Sequence, residues 1–173
     1  GMPDIADRKA AELEAALWEA SEAGRYPVLC DQSPCLHRMR LNIKSMHLYE
    51  PAEFIWKFLR DRLEFTRTEE KVAVHQTCTM RLMGLGGILV DLARLCASEV
   101  VVPEGVGCCG FAGDKGMTHP ELNSWALRKL RDQVRDVKVG YSNSRTCEIG
   151  LETNSGIPYI SIVYLVNACT KAK

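Results

Sequence analysis

Cys108-Cys109-Gly110 stands near the middle of the chain, with Cys78 ahead of it at an apparent strand end and Cys147 after it in a loop rich in Ser and Asn. Adjacent cysteines are poor disulfide partners, because the small ring they would close strains the peptide. They are good joint donors to a polynuclear metal centre that tolerates close thiolates. Three separated segments thus aim thiols at one region, which points to a metal or cluster site. Gly105, Gly107, Gly110 and Gly113 surround the pair. They let the backbone turn tightly and bring amides near sulfur, where hydrogen bonds raise a cluster's reduction potential; the same glycines would also serve a plain turn between a strand and a helix. His75, three positions before Cys78, is a supporting candidate as ligand or hydrogen-bond donor, against a structural place at the strand end. Arg145, two residues before Cys147, is available to offset thiolate charge.

Composition narrows the class. The 173 residues are 46% hydrophobic and 25% charged, enough for one well-buried core, and the 22 basic and 22 acidic residues cancel without runs of like charge. A nucleic-acid footprint or polybasic membrane patch is not indicated. No segment approaches the roughly 20 uninterrupted apolar residues of a spanning helix, and no basic region followed by an apolar stretch opens the chain. The expected location is the cytoplasm, with a peripheral place at the inner membrane face as the variant. There, eight cysteines read as metal ligands rather than a disulfide framework. Cys96 and Cys169, inside helix-like apolar patterns, read as core thiols.

The elements that must position these thiols follow from periodicity. Gly1 before Met2 reads as a tag remnant, and the chain as a piece of something longer. An amphipathic helix is expected from Asp4 to about Ala23, and a short buried strand over Tyr26–Cys30. Strand-like Ser45–Tyr49 precedes a helix over Pro51–Leu63, with Phe54, Ile55, Phe58 and Leu59 at helical spacing. A strand at Lys71–His75, a helix at Ile88–Ala97 and a strand at Glu99–Val102 follow. Thr118-His119-Pro120-Glu121 reads as a capping-box start for a helix to about Val134, with Leu122, Trp125, Ala126 and Leu130 on one face. A strand at Val137–Tyr141, a short helix after Arg145, a strand at Tyr159–Ile162 and a last helix complete the series. Apolar strands alternating with helices predict an α/β fold, a mostly parallel sheet with helices on both faces.

Two segments look alike. Leu29-Cys30-Asp31-Gln32-Ser33-Pro34-Cys35 aligns with Tyr141-Ser142-Asn143-Ser144-Arg145-Thr146-Cys147, each a strand entering a polar loop with a cysteine about to open a helix. The expected organisation is an N-terminal helix over 1–25 and a cysteine-rich domain over 26–173. The latter holds the remainder of a truncated first repeat at 26–70 and a second repeat at 71–173. Cys30 and Cys35 are then orphan ligands or core thiols, the second being favoured; His37, His47 and His119 read as structural.

The order Cys78, Cys108-Cys109-Gly110, Cys147 resembles the cysteine-rich CCG domain. That domain recurs in the cysteine-rich subunit of heterodisulfide reductase, the iron–sulfur subunit of glycolate oxidase, a subunit of the anaerobic glycerol-3-phosphate dehydrogenase, and lactate-utilisation proteins. Gly107 to Gly116 together with Gly140 to Gly150 look most like the C-terminal region of FAD-linked D-lactate dehydrogenases, a likeness running from about Tyr26 to the end. The resemblance implies an electron-transfer module. In such proteins an FAD domain oxidises a D-2-hydroxy acid, and iron–sulfur centres pass the electrons to a downstream acceptor. Here FAD would belong only to an absent N-terminal part, and the expected partners are the FAD-binding and ferredoxin-type parts of a full-length chain. By itself the chain is not expected to turn over substrate.

The pattern of the family usually ends Cys-x-x-Cys, whereas Cys147 is followed by Glu148-Ile149-Gly150, so a fifth thiolate is missing. Cys78, Cys108, Cys109 and Cys147 remain, the number that a [4Fe–4S] centre or a tetrahedral zinc site requires. The expected cofactor is an iron–sulfur cluster, with [4Fe–4S] favoured. The alternative is a zinc-bound or metal-free docking domain, although these four ligands include no Cys-x2-4-Cys zinc knuckle. Two other classes fit less well. Gly84-Leu85-Gly86-Gly87 lacks the last glycine of a dinucleotide fingerprint, and no Cys-x-x-Cys supports a thiol–disulfide enzyme.

Overall fold

The computed structural model describes residues 2–173; Gly1 and its reading as a tag remnant lie outside them. Pro3 in the first turn opens α1 (Pro3–Ala20), which buries no side chain of its own. Polar ties hold it: Arg38 donates to Asp7 at 2.6 Å and the Ser45 hydroxyl donates to Glu14 at 2.6 Å. It stops before the expected Ala23, because Glu22, Ala23 and Gly24 take left-handed φ values of 51°, 59° and 78°.

The next three elements form a small β-α-β unit. β1 (Val28–Leu29) and β2 (Leu48–Tyr49) pair in parallel, joined by α2 (Ser33–Asn42). Leu36, Ile43, Met46 and Leu48 make its own apolar cluster. The strand expected over 26–30 shortens to two residues, and the Leu29 side chain faces out rather than being buried. The helix expected over 51–63 is also broken up. α3 (Pro51–Phe54) passes into a π-helical turn at Ile55–Leu59 and a 3-10 turn at Arg60–Arg62. The widened turn sets the Phe58 ring 5.2 Å from Tyr49 and 5.0 Å from Phe54.

β3 (Leu63–Phe65) leads into β4 (Thr68–Val74), followed by α4 (Cys78–Leu82), α5 (Gly86–Cys96) and β5 (Ala97–Val101). A long loop then carries the adjacent cysteines to α6 (Lys115–Thr118), α7 (Pro120–Ala126) and α8 (Leu130–Gln133). The single helix expected over 118–134 is two pieces, α7 and α8, with α6 ending where it was to begin. Leu122 and Trp125, expected on its buried face, are exposed; Asn123 is buried instead, because its amide is spent on a carbonyl of the cysteine loop. β6 (Val139–Ser142), α9 (Arg145–Ser155), β7 (Tyr159–Ser161) and α10 (Ile162–Cys169) follow. The final β8 (Thr170–Ala172) runs antiparallel to β3, a pairing absent from the sequence pattern.

The central sheet is four-stranded, wholly parallel and ordered β5-β4-β6-β7. From β4 the chain crosses to β5 on one side, then returns across β4 to place β6 and β7 on the other. Right-handed crossovers in opposite directions put their helices on opposite faces. Accordingly α5 and α10 pack with Val72, Val74 and Tyr141 on one face, while α8 and α9 pack with Ala73 and Tyr159 on the other. This is the α/β architecture expected, with both faces covered.

β6 can approach its neighbour's aromatic ring only because it carries glycine. A Cβ added at Gly140 would overlap the ring of Tyr159, which is fully buried. Gly140→Ala should therefore cost about 1–3 kcal/mol in urea unfolding, the range for an overpacked core. Combined with Tyr159→Val it should cost less than the sum of the two single changes; additivity would show that the ring is not the obstacle.

Candidate metal centre

β4 and β6 lie side by side, yet their chains leave in opposite directions, so a crevice opens at their carboxyl ends. Open α/β sheets bind ligands at this position. After β4 come His75, Gln76, Thr77 and Cys78, where Thr77 caps α4 by accepting from Met80 N–H at 3.4 Å. After β6 come Asn143 and Ser144, and Cys147 lies in the first turn of α9. The loop after β5 brings Cys108 and Cys109 to the same crevice.

The four thiols form a chain of neighbours. The Cys109 and Cys147 sulfurs are 2.9 Å apart, Cys78 neighbours Cys108, and Cys108 neighbours Cys109. All are free thiols, with Cys109 and Cys147 buried and Cys78 and Cys108 exposed. Gly110 donates its N–H to the Cys108 sulfur at 3.3 Å. Among the described residues no group of three or more His, Cys, Asp or Glu side chains converges as a site for a metal ion. The donors are paired in sequence rather than set about one point.

Three of these thiols are pushed toward the protonated form. Pairing with Cys109 and then burial push the Cys108 thiol well up, while burial and then the charge of Cys108 push up Cys78. Cys108 favours the Cys109 thiolate, but the bond to Cys147 and burial outweigh it and push that thiol up to about 12. The chain alone thus holds these groups as thiols. A bound metal reverses that preference, because its charge exceeds every other local charge and coordinating thiols lose their protons to it. The donor set therefore fits a thiolate-ligated centre.

Glycines and one asparagine hold the loop in place. Gly110 has φ +72°, and a Cβ there would lie 2.6 Å from the Leu122 carbonyl oxygen. Asn123 donates to the Cys109 carbonyl and accepts from Asn154. Gly150 occupies the position where the family pattern would put its last cysteine. A Cβ there would overlap the Asn123 amide and lie 2.9 Å from the Phe111 ring, so no fifth side chain fits. Asn123 gave no sequence signal, being one polar residue among several on a partly exposed helix.

The other candidates are distributed around this group. His75 is 1% exposed; its Nδ1 lies 3.5 Å from the Ser142 hydroxyl, and its Nε2 has no partner. That ring lines a cavity of about 40 Å³ with Arg81, Val102, Pro103 and Val106, room enough for a water molecule. The Arg81 guanidinium reaches from there to within 3.3 Å of a Cβ built on Gly107, in the cysteine loop. Arg145 pairs with Glu148 at 3.3 Å rather than with a thiol. Cys30 donates to the Gln32 carbonyl at 3.6 Å and Cys35 is exposed; Cys96 and Cys169 are buried together in the core.

No family model matches the chain. It is similar to the glycolate oxidase iron-sulfur subunit of Escherichia coli (strain K12), 32% identical over 133 residues, covering 68% of this chain and 32% of that protein. The chain thus spans about a third of the length of the curated relative it matches.

Burial, then the charge of Arg81, lowers the His75 pKa from 6.5 to about 4. Because the folded chain binds this proton less readily than the unfolded chain, stability is lost as pH falls from about 6.5 to about 4. The loss is about 3 kcal/mol in all. Glu50 and Glu148, raised by burial, work in the opposite sense. In urea unfolding of the metal-free chain, wild type should lose about this much relative to His75→Gln between pH 7 and pH 4. Parallel pH profiles would remove the buried imidazole as the cause.

Proposed function

We propose that this chain is an iron–sulfur electron-transfer domain of an oxidoreductase, with Cys78, Cys108, Cys109 and Cys147 as the cluster ligands. The observation that carries it is the row of neighbouring thiols that three loops bring to the carboxyl ends of β4, β5 and β6. The similarity to an iron-sulfur subunit supports the same class of centre. Four thiolates match a [4Fe–4S] cluster, and such a cluster, when bound, takes up and releases single electrons.

The surrounding residues would tune and shield it. The Gly110 N–H directed at the Cys108 sulfur favours the more reduced state, as hydrogen bonds to cluster sulfur do. Phe111 and the buried thiols of Cys109 and Cys147 close the inner side to water, while the exposed Cys78 and Cys108 leave the outer side near an acceptor. Among the described residues no helix is long and apolar enough to cross a membrane.

The relative is named for glycolate, a 2-hydroxy acid, which accords with a place for this domain in an enzyme oxidising D-lactate or a related D-2-hydroxy acid. In that reading an FAD-binding part supplies the electrons, a ferredoxin-type part adjoins, and the domain alone turns over no substrate. A cytoplasmic location, or the inner membrane face, follows from the same reading. A zinc-stapled docking domain is the competing use of the four thiols.

Anaerobic reconstitution with iron and sulfide separates these. Wild type should take up about four irons and four sulfides per chain with a brown charge-transfer spectrum, and Cys108→Ser/Cys109→Ser should take up less than one. Stoichiometric zinc, or no metal, in wild type would overturn the electron-transfer reading.

A further inference from the structure

The crevice at β4 and β6 is closed from one side by a polar relay that starts at Glu50. This residue is 1% exposed, a rare state for a carboxylate, and lies far in sequence from the thiols. Its Oε2 accepts from the backbone N–H groups of Ala52 at 2.6 Å and Glu53 at 3.1 Å, capping α3. Its Oε1 accepts from the Asn143 amide at 3.3 Å. Each of these hydrogen-bond partners is a donor.

That one-sidedness fixes the direction of each following bond. With its NH₂ committed to Glu50, Asn143 turns its Oδ1 toward Thr77, whose hydroxyl donates to it at 3.0 Å. The Thr77 proton is then used, and its oxygen is left to accept from Met80 N–H at 3.4 Å, the cap of the helix that begins at Cys78. Ser33 completes the network, 3.1 Å from Thr77 and 2.7 Å from Thr79. Asn143 precedes Cys147 by four residues and Thr77 directly precedes Cys78. The relay therefore spans the two loops that carry the outer and inner ends of the thiol chain. An asparagine amide ordinarily admits two orientations; the buried carboxylate selects one.

We propose that Glu50 is a positioning residue for the thiol site, setting the geometry of Cys78 against Cys147 through Asn143 and Thr77. It touches no thiol and acts only through these two side chains. The proposal deepens the iron–sulfur reading of the same site and, as a statement about ligand geometry in a working centre, rests on it.

Polarity reversal tests this without removing volume. In Glu50→Gln the new amide keeps an oxygen for Ala52 and Glu53 but presents an NH₂ to the NH₂ of Asn143. Asn143 must flip, and Thr77 must then accept where it had donated. In Glu50→Gln/Asn143→Asp the new carboxylate accepts from both sides, so Thr77 donates again and the original direction is restored. The first readout needs no cluster: the alkylation rate of Cys78 by iodoacetamide in the metal-free chain, with exposed Cys35 as internal reference. Glu50→Gln should raise the Cys78 rate at least threefold, leave Cys35 unchanged and retain the far-ultraviolet circular dichroism of wild type. The double variant should return the rate to within a factor of about 1.5 of wild type. The second readout is the midpoint potential of the reconstituted centre, which should shift in Glu50→Gln and return in the double variant.

An unchanged Cys78 rate in Glu50→Gln overturns the proposal, as does a rate that the second substitution fails to restore, or a rise shared by Cys35, which would mark general loosening. If wild type takes up no iron while the alkylation pattern reverses and recovers, the iron–sulfur reading falls and the positioning role stands. If wild type takes up iron but the potential is the same in all three chains, the reading stands and the positioning role falls.

Discussion

The reversal of strand order between β4 and β6 is the constraint on which the rest of this structure depends. Adjacent strands lie only about 4.8 Å apart, and here both neighbours run parallel with their connections departing to opposite sides. The loops at their carboxyl ends are thus close at the root and divergent above it. Had β6 been added beyond β5, the loops of Cys78 and Cys147 would start about 10 Å apart, two strand spacings rather than one. With β6 beside β4, the loop after β5 needs only to fold inward for Cys108 and Cys109 to fall between them.

Bringing thiols together in this way is unfavourable until something binds them. Burial and mutual contact push Cys78, Cys108 and Cys109 toward the protonated form, so the scaffold has to supply the order that the thiols do not. It does so with fits that leave little freedom. Gly110 and Gly150 each pack where a Cβ would overlap backbone or a neighbouring side chain, and Asn123 joins the cysteine loop to α9 through Asn154. A site whose supporting residues are themselves locked is held in one geometry before any ligand arrives.

The α/β class was legible because the strands Val72–Val74 and Val139–Ser142 and the helix at 86–96 follow clean apolar patterns, and patterning largely decides layer architecture. The grouping of Cys78, Cys108, Cys109 and Cys147 was suggested by residue type and order alone. Boundaries failed where tertiary demands override propensity. The helix expected over 118–134 breaks between α7 and α8, and it turns Asn123 inward to serve a carbonyl of another loop while Leu122 and Trp125 are left exposed. The helix over 51–63 opens into a π turn as the rings of Tyr49, Phe54 and Phe58 pack together. The pairing of β3 with β8 joins segments about a hundred residues apart in the chain, and no local pattern encodes such a partner. Glu50 was invisible for the same reason: its sequence neighbours announce a helix cap, while its second oxygen serves a residue at position 143.

The two β-α-β segments compared from sequence have related geometry: β1-α2-β2 and β6-α9-β7 each pair two strands in parallel around one helix, with Cys35 and Cys147 near the starts of α2 and α9. They meet through Gln32, Ser33 and Glu50 on one side and Asn143 and Ser144 on the other, with Thr77 from the loop after β4 bridging Ser33 and Asn143. This contact is polar and largely buried, and a polar network in a dry interior is favourable only when each member is satisfied. Replacing any one member leaves a partner unpaired, at about 1–3 kcal/mol, whereas an apolar contact would tolerate small slips. The contact therefore specifies one register between the segments more than it adds stability, and that register fixes the distance between the loops bearing Cys78 and Cys147.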